Sequence, residues 1–238
     1  MWKGKSVWVV MPAYNEADGI FKTVKGFLSV PEIDKVIVVD NNSSDGTAKL
    51  ARKAGALVVI EKKQGYGYAC MRALKESKAD YTILVESDST FSPLDVYKFF
   101  GFIGDFDMVK GGRSNDNIIE KGADWTPFLK YGNWLIAKMI QVLYVGPSMR
   151  DAGGTYRMIS RECLNKIFPY LTRTDPAFLP DIITIALRLG FKTLEIPVRY
   201  RKREGNSKIT GNRWKAFKLG LTMIKVILWN RIKPLNKK

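Results

Sequence analysis

Glu86 and Asp88 stand one residue apart, directly after the apolar run Tyr81-Thr82-Ile83-Leu84-Val85. If that run is a buried strand, both carboxylates leave its carboxyl end on the same side. Open α/β sheets bind their ligands at that rim. Two acids there repel each other unless a cation lies between them. A hard ion such as Mg²⁺ or Mn²⁺ takes carboxylate oxygens and carries a diphosphate on its free positions. The alternative is a strand end with two solvated acids, because an acid-x-acid pair is common. The chain contains no histidine, which excludes histidine bases, Ser-His-Asp triads and histidine metal sites. Cys70 and Cys163 are the only cysteines. They cannot build a disulfide framework, and they read as inert or buried thiols of a reducing compartment.

The elements that must position these acids alternate along the first half. Val7 to Met11 reads as a strand, Ala17 to Leu28 as a helix, and Lys35 to Asp40 as a second strand. Thr47 to Ala54 is helical and stops at Gly55, and Ala56 to Ile60 is a third strand. Gly65 to Ser77 opens on glycines and continues as a helix before the Tyr81 strand. This alternation predicts an α/β fold with a mainly parallel sheet covered by helices. Parallel strands would bring Tyr14-Asn15-Glu16, Asp40-Asn41-Asn42 and Glu86-x-Asp88 to one rim. Gly65-Tyr66-Gly67 either offers free N–H groups to a phosphate or is simply a turn. The second half predicts a helix over 128–144, a glycine-opened strand over 151–159 and a helix over 181–189. A strand pair or bent strand over 192–200, around Pro197, and a last helix over 212–229 complete it.

The 238 residues suffice for one large domain, or one domain plus an appendage. Lys and Arg exceed Asp and Glu by 39 to 23, a net charge of +16. Such an excess points to an anionic partner, or to solubility alone. In the last helix Trp214, Phe217, Leu221, Ile224 and Leu228 form one apolar stripe, flanked by Lys215, Lys218 and Lys225. No acidic residue occurs from Arg213 to Lys238. Two readings remain open: a helix lying in a membrane interface, or a helix packed on the domain with a solvated basic edge. The expected division is a catalytic domain over 1–211 and a basic amphipathic helix and tail over 212–238. The N-terminus lacks signal-peptide features, and no stretch is long enough to span a bilayer. The expected location is therefore cytoplasmic, peripheral to a membrane face.

Several motifs, in order, carry a resemblance. They are Pro12-Ala13-Tyr14-Asn15-Glu16, then Val38-Val39-Asp40-Asn41-Asn42-Ser43-Ser44-Asp45-Gly46-Thr47, then Gly65-x-Gly67 with Ala69, then the acid-x-acid. Together they resemble a family-two inverting glycosyltransferase of the GT-A (nucleotide-diphospho-sugar transferase) fold. Arg150-Asp151-Ala152-Gly153-Gly154-Thr155-Tyr156-Arg157 is similar to the Asp…Ser-Gly-Phe-Arg segment of dolichol-phosphate mannose synthases and other polyprenyl-phosphate glycosyltransferases. Glu195-Ile196-Pro197-Val198-x-Tyr200, followed by Arg203-x-Gly205-x-Ser207-Lys208, resembles their ending.

The resemblance implies a nucleotide-sugar donor, GDP- or UDP-linked, and a polyprenyl (dolichyl) phosphate acceptor. It implies that Pro12, Ala13, Tyr14, Glu16 and Asp40 line the nucleoside pocket, and that Asp88, with Glu86, holds Mg²⁺ or Mn²⁺. Arg113, Arg157, Arg203 and Lys208 would meet donor or acceptor phosphates, with Asp88 and Arg157 as the catalytic pair. Asn41 stands where the family often has a second acid, and Glu86 replaces the usual first Asp. Pro180-Asp181 falls where many relatives carry a glutamate. A phosphate acceptor is already anionic and needs no base. A glycan or glycolipid hydroxyl, the alternative acceptor, would need one, with Asp151 or Asp181 as candidates. A basic nucleic-acid-binding module is the reading from another class. It lacks a recognition-helix or aromatic RNA-binding signature. A NAD-binding enzyme would want glycines where Pro-Ala-Tyr-Asn-Glu follows the first strand.

Overall fold

Residues 1–204 and 213–235 are described by a computed structural model of the chain. In the first half β1 (Val7–Ala13), β2 (Lys35–Asp40), β3 (Leu57–Ile60) and β4 (Tyr81–Leu84) alternate with α1 (Ala17–Leu28), α2 (Thr47–Lys53) and α3 (Tyr66–Glu76). Then come α4 (Val96–Phe100), β5 (Met108–Gly112), α5 (Pro127–Tyr144), β6 (Arg157–Ser160) and α6 (Arg161–Ile167). The chain continues through α7 (Phe178–Arg188) and β7 (Thr193–Pro197) to α8 (Arg213–Ile232).

Among the described residues, seven strands form one mixed sheet in the order β3-β2-β1-β4-β6-β5-β7. The first four run parallel, with Ala13 opposite Asp40 and Val10 opposite Leu84. β6 is antiparallel to both neighbours and sets Arg157 opposite Leu84 and Lys110. The central strands are apolar on both faces because both are covered. Val9, Met11, Val36, Val38 and Ile83 point into a core under α1 and α4, whereas Val10, Ile37, Val39 and Leu84 point into one under α3, α5, α6 and α7. The strand expected over 151–159 begins only at Arg157. The glycines before it make a close loop instead: a Cβ on Gly154 would lie 2.8 Å from the Gly111 carbonyl oxygen.

The last helix departs from its expected stripe. Met223, Val226 and Ile227 are the buried residues and belong to the same core as α5 and α7, whereas Trp214, Phe217, Leu221 and Leu228 are exposed. This helix is apolar on several faces, so helical spacing alone does not select the packed one. Polar contacts do. Asn230 Nδ2 donates to Asp181 Oδ1 at 2.7 Å and to Thr184 Oγ1 at 2.9 Å. Tyr144 donates its hydroxyl to the Ile227 carbonyl at 2.6 Å, and Arg188 Nη1 reaches the Lys233 carbonyl at 2.7 Å. Among the described residues no helix is long and apolar enough to cross a membrane.

Candidate active site

The expected rim exists, and a cleft of about 840 Å³ opens at it. One end is lined by Pro12, Ala13, Tyr14, Glu16, Asn41 and Gln64, and the centre by Glu86, Asp88, Arg113, Tyr200 and Arg203. The other end is an apolar trough between α5 and α8, walled by Phe128, Leu129, Leu135, Ile136, Phe217, Leu221, Met223 and Ile224.

The first loop is clasped by the second. Asn15 takes a positive φ of 52°, a conformation that asparagine tolerates, and its Oδ1 accepts from Ser44 N at 2.8 Å. Asn15 N donates to Ser43 Oγ, Glu16 N to Thr47 Oγ1 and Ala17 N to Asp45 Oδ2. The polar run after β2 is thus a brace for Tyr14 and Glu16. Asp40, in register with Ala13, is buried and does not itself line the cleft. Its Oδ1 has no partner among the described residues.

Asn41, where an acid was the family expectation, uses chemistry that an acid lacks. Its Nδ2 donates to the Glu61 and Lys63 carbonyls at 2.9 and 2.8 Å, while its Oδ1 accepts from Gly65 N at 2.8 Å. A carboxylate could not donate. The glycine pair opening α3 is not a phosphate cradle. Gly65 N is taken by Asn41, and Gly67 N donates to the Thr174 carbonyl at 2.9 Å. Gly67 is required by this contact, since a Cβ there would fall 2.3 Å from the Arg173 carbonyl oxygen.

Glu86 and Asp88 both face the cleft. Glu86 Oε1 accepts from Thr155 Oγ1 at 2.8 Å, and Thr155 in turn meets the Tyr66 hydroxyl at 2.7 Å. Burial, then the charge of Asp88, pushes the Glu86 carboxyl up from its ordinary range. Asp88 Oδ1 accepts from Thr90 N at 3.1 Å and Thr90 Oγ1 at 2.6 Å. Its Oδ2 pairs with Arg203 Nη1 at 2.9 Å, and Arg203 Nη2 pairs with Glu16. Burial pulls the Arg203 guanidinium down, but Asp88, Glu16 and Glu86 hold it above its ordinary value.

Arg113 is the second cation of the centre. Asp151 grips it bidentately at 2.7 and 3.0 Å, and the guanidinium lies 4.0 Å from the Trp125 ring centroid. Although burial opposes it, the Arg113 and Lys110 charges hold the Asp151 carboxyl far below the usual range. Lys110 pairs with Glu195 at 3.1 Å, both nearly buried, and Glu195 accepts from Arg150 N and Asp151 N at 2.9 and 3.1 Å. Two motifs far apart in sequence therefore meet to place Arg113. Sequence reading missed Thr155, Lys110 and Glu195 as site supports, although the motifs containing Thr155 and Glu195 were in view.

Three further residues expected at the site do not line the cleft. Arg157 is 0% exposed and does not reach the cleft. Its guanidinium donates to the carbonyls of Gly154, Thr155 and Leu179 at 2.7, 3.1 and 3.2 Å, and burial lowers it to about 10. It shapes the glycine loop, with its guanidinium turned onto these carbonyls and away from the cleft. Asp151 and Asp181, the candidate bases, are both buried: Asp151 grips Arg113, while Asp181 Oδ1 meets Asn230 and its Oδ2 has no partner among the described residues. Lys208 lies outside the described residues.

A divalent ion bound through a diphosphate needs only one or two protein carboxylates. No group of three or more acids, cysteines or histidines clusters for a metal among the described residues. Asp88 fits the smaller requirement, because its Oδ2 already faces a cationic group.

The description Glycosyl transferase family 2 matches residues 8–168. The chain is 31% identical over 210 residues to the low-salt glycan biosynthesis hexosyltransferase Agl6 of Haloferax volcanii, covering 84% of this chain and 49% of that protein. The chain thus spans about half the length of Agl6. It is 30% identical over 227 residues to a dolichyl-phosphate hexose transferase of the same organism, covering 94% of this chain and 95% of that one. Among solved structures, glucosyl-3-phosphoglycerate synthase from Mycobacterium tuberculosis, in complex with Mn²⁺, UDP-glucose and phosphoglyceric acid, superposes with a TM-score of 0.73. Identity there is 20%, over 97% of this chain and 81% of that one, a likeness of fold. A family match across two thirds of the chain, on a mixed seven-stranded sheet of the GT-A kind, makes this protein a glycosyltransferase of family 2.

Proposed function

We propose that the protein transfers a hexose from a nucleotide-sugar donor to a polyprenyl phosphate at a membrane surface, with inversion and with a divalent cation. One observation carries this reading: the cleft runs without a break from Asp88 and Arg113 into the apolar α5–α8 trough. A phosphate acceptor with a long hydrocarbon tail matches both ends of such a cleft, whereas a free sugar or glycan has no use for the apolar end. The similarity to a dolichyl-phosphate hexose transferase over nearly the whole of both chains supports it.

Pro12, Ala13, Tyr14 and Glu16 would receive the nucleoside, with Asp40 beneath Ala13. Asp88 would hold the Mg²⁺ or Mn²⁺, with Glu86 beside it. When bound, that ion neutralises charge on the departing nucleoside diphosphate. Arg203 adds a guanidinium to the same charge. Arg113 is clamped by Asp151 and lines the cleft, and it would receive the acceptor phosphate. The acceptor oxygen attacks the anomeric carbon as the bond to the diphosphate breaks. It carries its own negative charge, so no proton has to be removed. This suits a cleft that neither Asp151 nor Asp181 lines. A hydroxyl acceptor would have to use Glu86 as its base.

The outer faces of α5 and α8 support the membrane location. Trp134 of α5, and Trp214 and Trp229 of α8, are exposed and lie outside the cleft lining, beside Lys130, Lys215, Lys218 and Lys225. Aromatic rings with basic neighbours suit an anionic bilayer interface. Labelled UDP- and GDP-hexoses, incubated with polyprenyl phosphate in detergent, test the reading. Label should enter the organic phase in a form released by mild acid. Label that instead enters only a hydroxyl-bearing glycan or glycolipid would overturn the acceptor assignment.

A further inference from the structure

Asp88 already has a counter-ion. The guanidinium of Arg203 spans two carboxylates, with Nη1 on Asp88 Oδ2 at 2.9 Å and Nη2 on Glu16 Oε1. The backbone holds it there: Arg201 N donates to the Thr90 carbonyl at 2.7 Å, and Glu204 N to the Asp88 carbonyl at 3.3 Å. Lys22 pairs with Glu204 on the outside. Residues 201–204 are therefore strapped across the turn that carries the acid pair. Arg203 Nε is buried and has no partner among the described residues. A buried N–H without an acceptor is costly unless a ligand supplies one.

We propose that Arg203 occupies the cation seat of Asp88 until a nucleoside diphosphate arrives, so that the divalent ion is taken up with the diphosphate and not alone. This rests on the reading that Asp88 holds the metal. An ion arriving alone must share a poorly solvated corner with a guanidinium, or strip it from two carboxylates. A diphosphate removes that conflict. Its oxygens accept from both arms of the guanidinium and from the idle Nε, in the bidentate geometry that arginine favours. Arg203 exchanges carboxylate for phosphate, keeps its charge paired, and frees Asp88 Oδ2 for the ion. Lysine would serve poorly, because a single ammonium cannot span Glu16 and Asp88 in this way. The coupling is reciprocal: whatever factor the diphosphate adds to metal affinity, the metal adds to diphosphate affinity.

Mn²⁺ binding to the intact protein, read from the electron spin resonance of the free ion, tests this without turnover. Titrations are run with no nucleotide, with UDP and with GDP, on wild type, Arg203→Gln, Arg203→Lys, Arg113→Gln and Asp88→Asn, each checked for folding by circular dichroism. Wild type should bind Mn²⁺ weakly alone and at least about tenfold more tightly with the matching nucleotide. Arg203→Gln should bind Mn²⁺ alone several-fold more tightly than wild type and lose most of the nucleotide effect. Arg203→Lys should lie between them. Arg113→Gln removes an equal charge from the same cleft without touching Asp88, so it reads out any general electrostatic gain in bare Mn²⁺ binding. If Arg203→Gln does not tighten bare Mn²⁺ binding, or Arg113→Gln tightens it equally, the exchange is refuted and the metal assignment stands. If Asp88→Asn binds Mn²⁺ as wild type does, the metal assignment itself has failed.

Discussion

The carboxylate of Asp151 meets the guanidinium of Arg113 through two hydrogen bonds, at 2.7 and 3.0 Å, and accepts a third from the Arg113 backbone N–H at 3.1 Å. Asp151 is fully buried and the Arg113 side chain nearly so. Breaking one partner of a buried pair strands the other charge. Asp151→Asn should therefore lower stability by about 3 kcal/mol. Urea denaturation of the variant and wild type measures it. A change below about 1 kcal/mol would mean that Arg113 is held by its Trp125 and Tyr200 contacts instead.

Arg157 separates a structural from a catalytic arginine. Arg157→Leu leaves the carbonyls of Gly154, Thr155 and Leu179 without their donor. At roughly 1 kcal/mol or more for each buried carbonyl, the loss should be about 3 kcal/mol. The urea midpoint should fall, while UDP or GDP affinity of the folded protein stays within about twofold. A tenfold loss of nucleotide affinity at unchanged stability would restore the phosphate-binding role.

What the sequence makes legible here is the rim. Apolar runs ending in Glu16, Asp40 and Asp88 imply strand ends, and parallel order brings their neighbours together. Glu86, Asp88, Arg113 and Arg203 do share one cleft. The partners of each side chain are a different matter. Nothing in Asn41 itself signals that the carbonyls of Glu61 and Lys63 will sit against its amide, because those carbonyls reach it through the β2–β3 pairing. Arg157 is similar: an arginine after glycines suggests a ligand, but β6 turns it inward onto its own loop. The face of α8 was ambiguous for a related reason, since its packing is selected by Asn230 meeting Asp181, and helical periodicity carries no information about that meeting.

Asp181 gives the fold a pH dependence with a definite sign. Burial raises its carboxyl from 3.8 to about 6, while Asn230 and Arg173 oppose the shift. Between those values the folded state keeps a proton that the unfolded chain has lost. Stability from this group is therefore present below about pH 4 and is lost as pH rises through 6. Asp181→Asn keeps an acceptor for Asn230 and never ionises. Thermal unfolding at pH 4.5 and 7.5 should show wild type losing more midpoint than the variant as pH rises, by on the order of 5 °C. Parallel curves would place the Asp181 charge in a better-solvated setting than its burial indicates.

The trough between α5 and α8 is the part of the acceptor reading that substitution tests most directly. Leu135 and Leu221 line it from opposite helices, and both are exposed. A glutamate at either place should cost the fold little, within about 0.5 kcal/mol. It would instead set a charge against the lipid tail. Covering a leucine-sized apolar surface is worth about 2 kcal/mol, and a charge there reverses the gain. Leu135→Glu and Leu221→Glu should each raise the KM for a long polyprenyl phosphate at least about tenfold, leaving the KM for the sugar nucleotide within about twofold. A water-soluble acceptor with only one or two isoprene units should be nearly indifferent, since its tail ends before the trough does. Equal losses for short and long acceptors would mean that the charge disturbs the phosphate end, and an unchanged KM for the long acceptor would place the tail elsewhere.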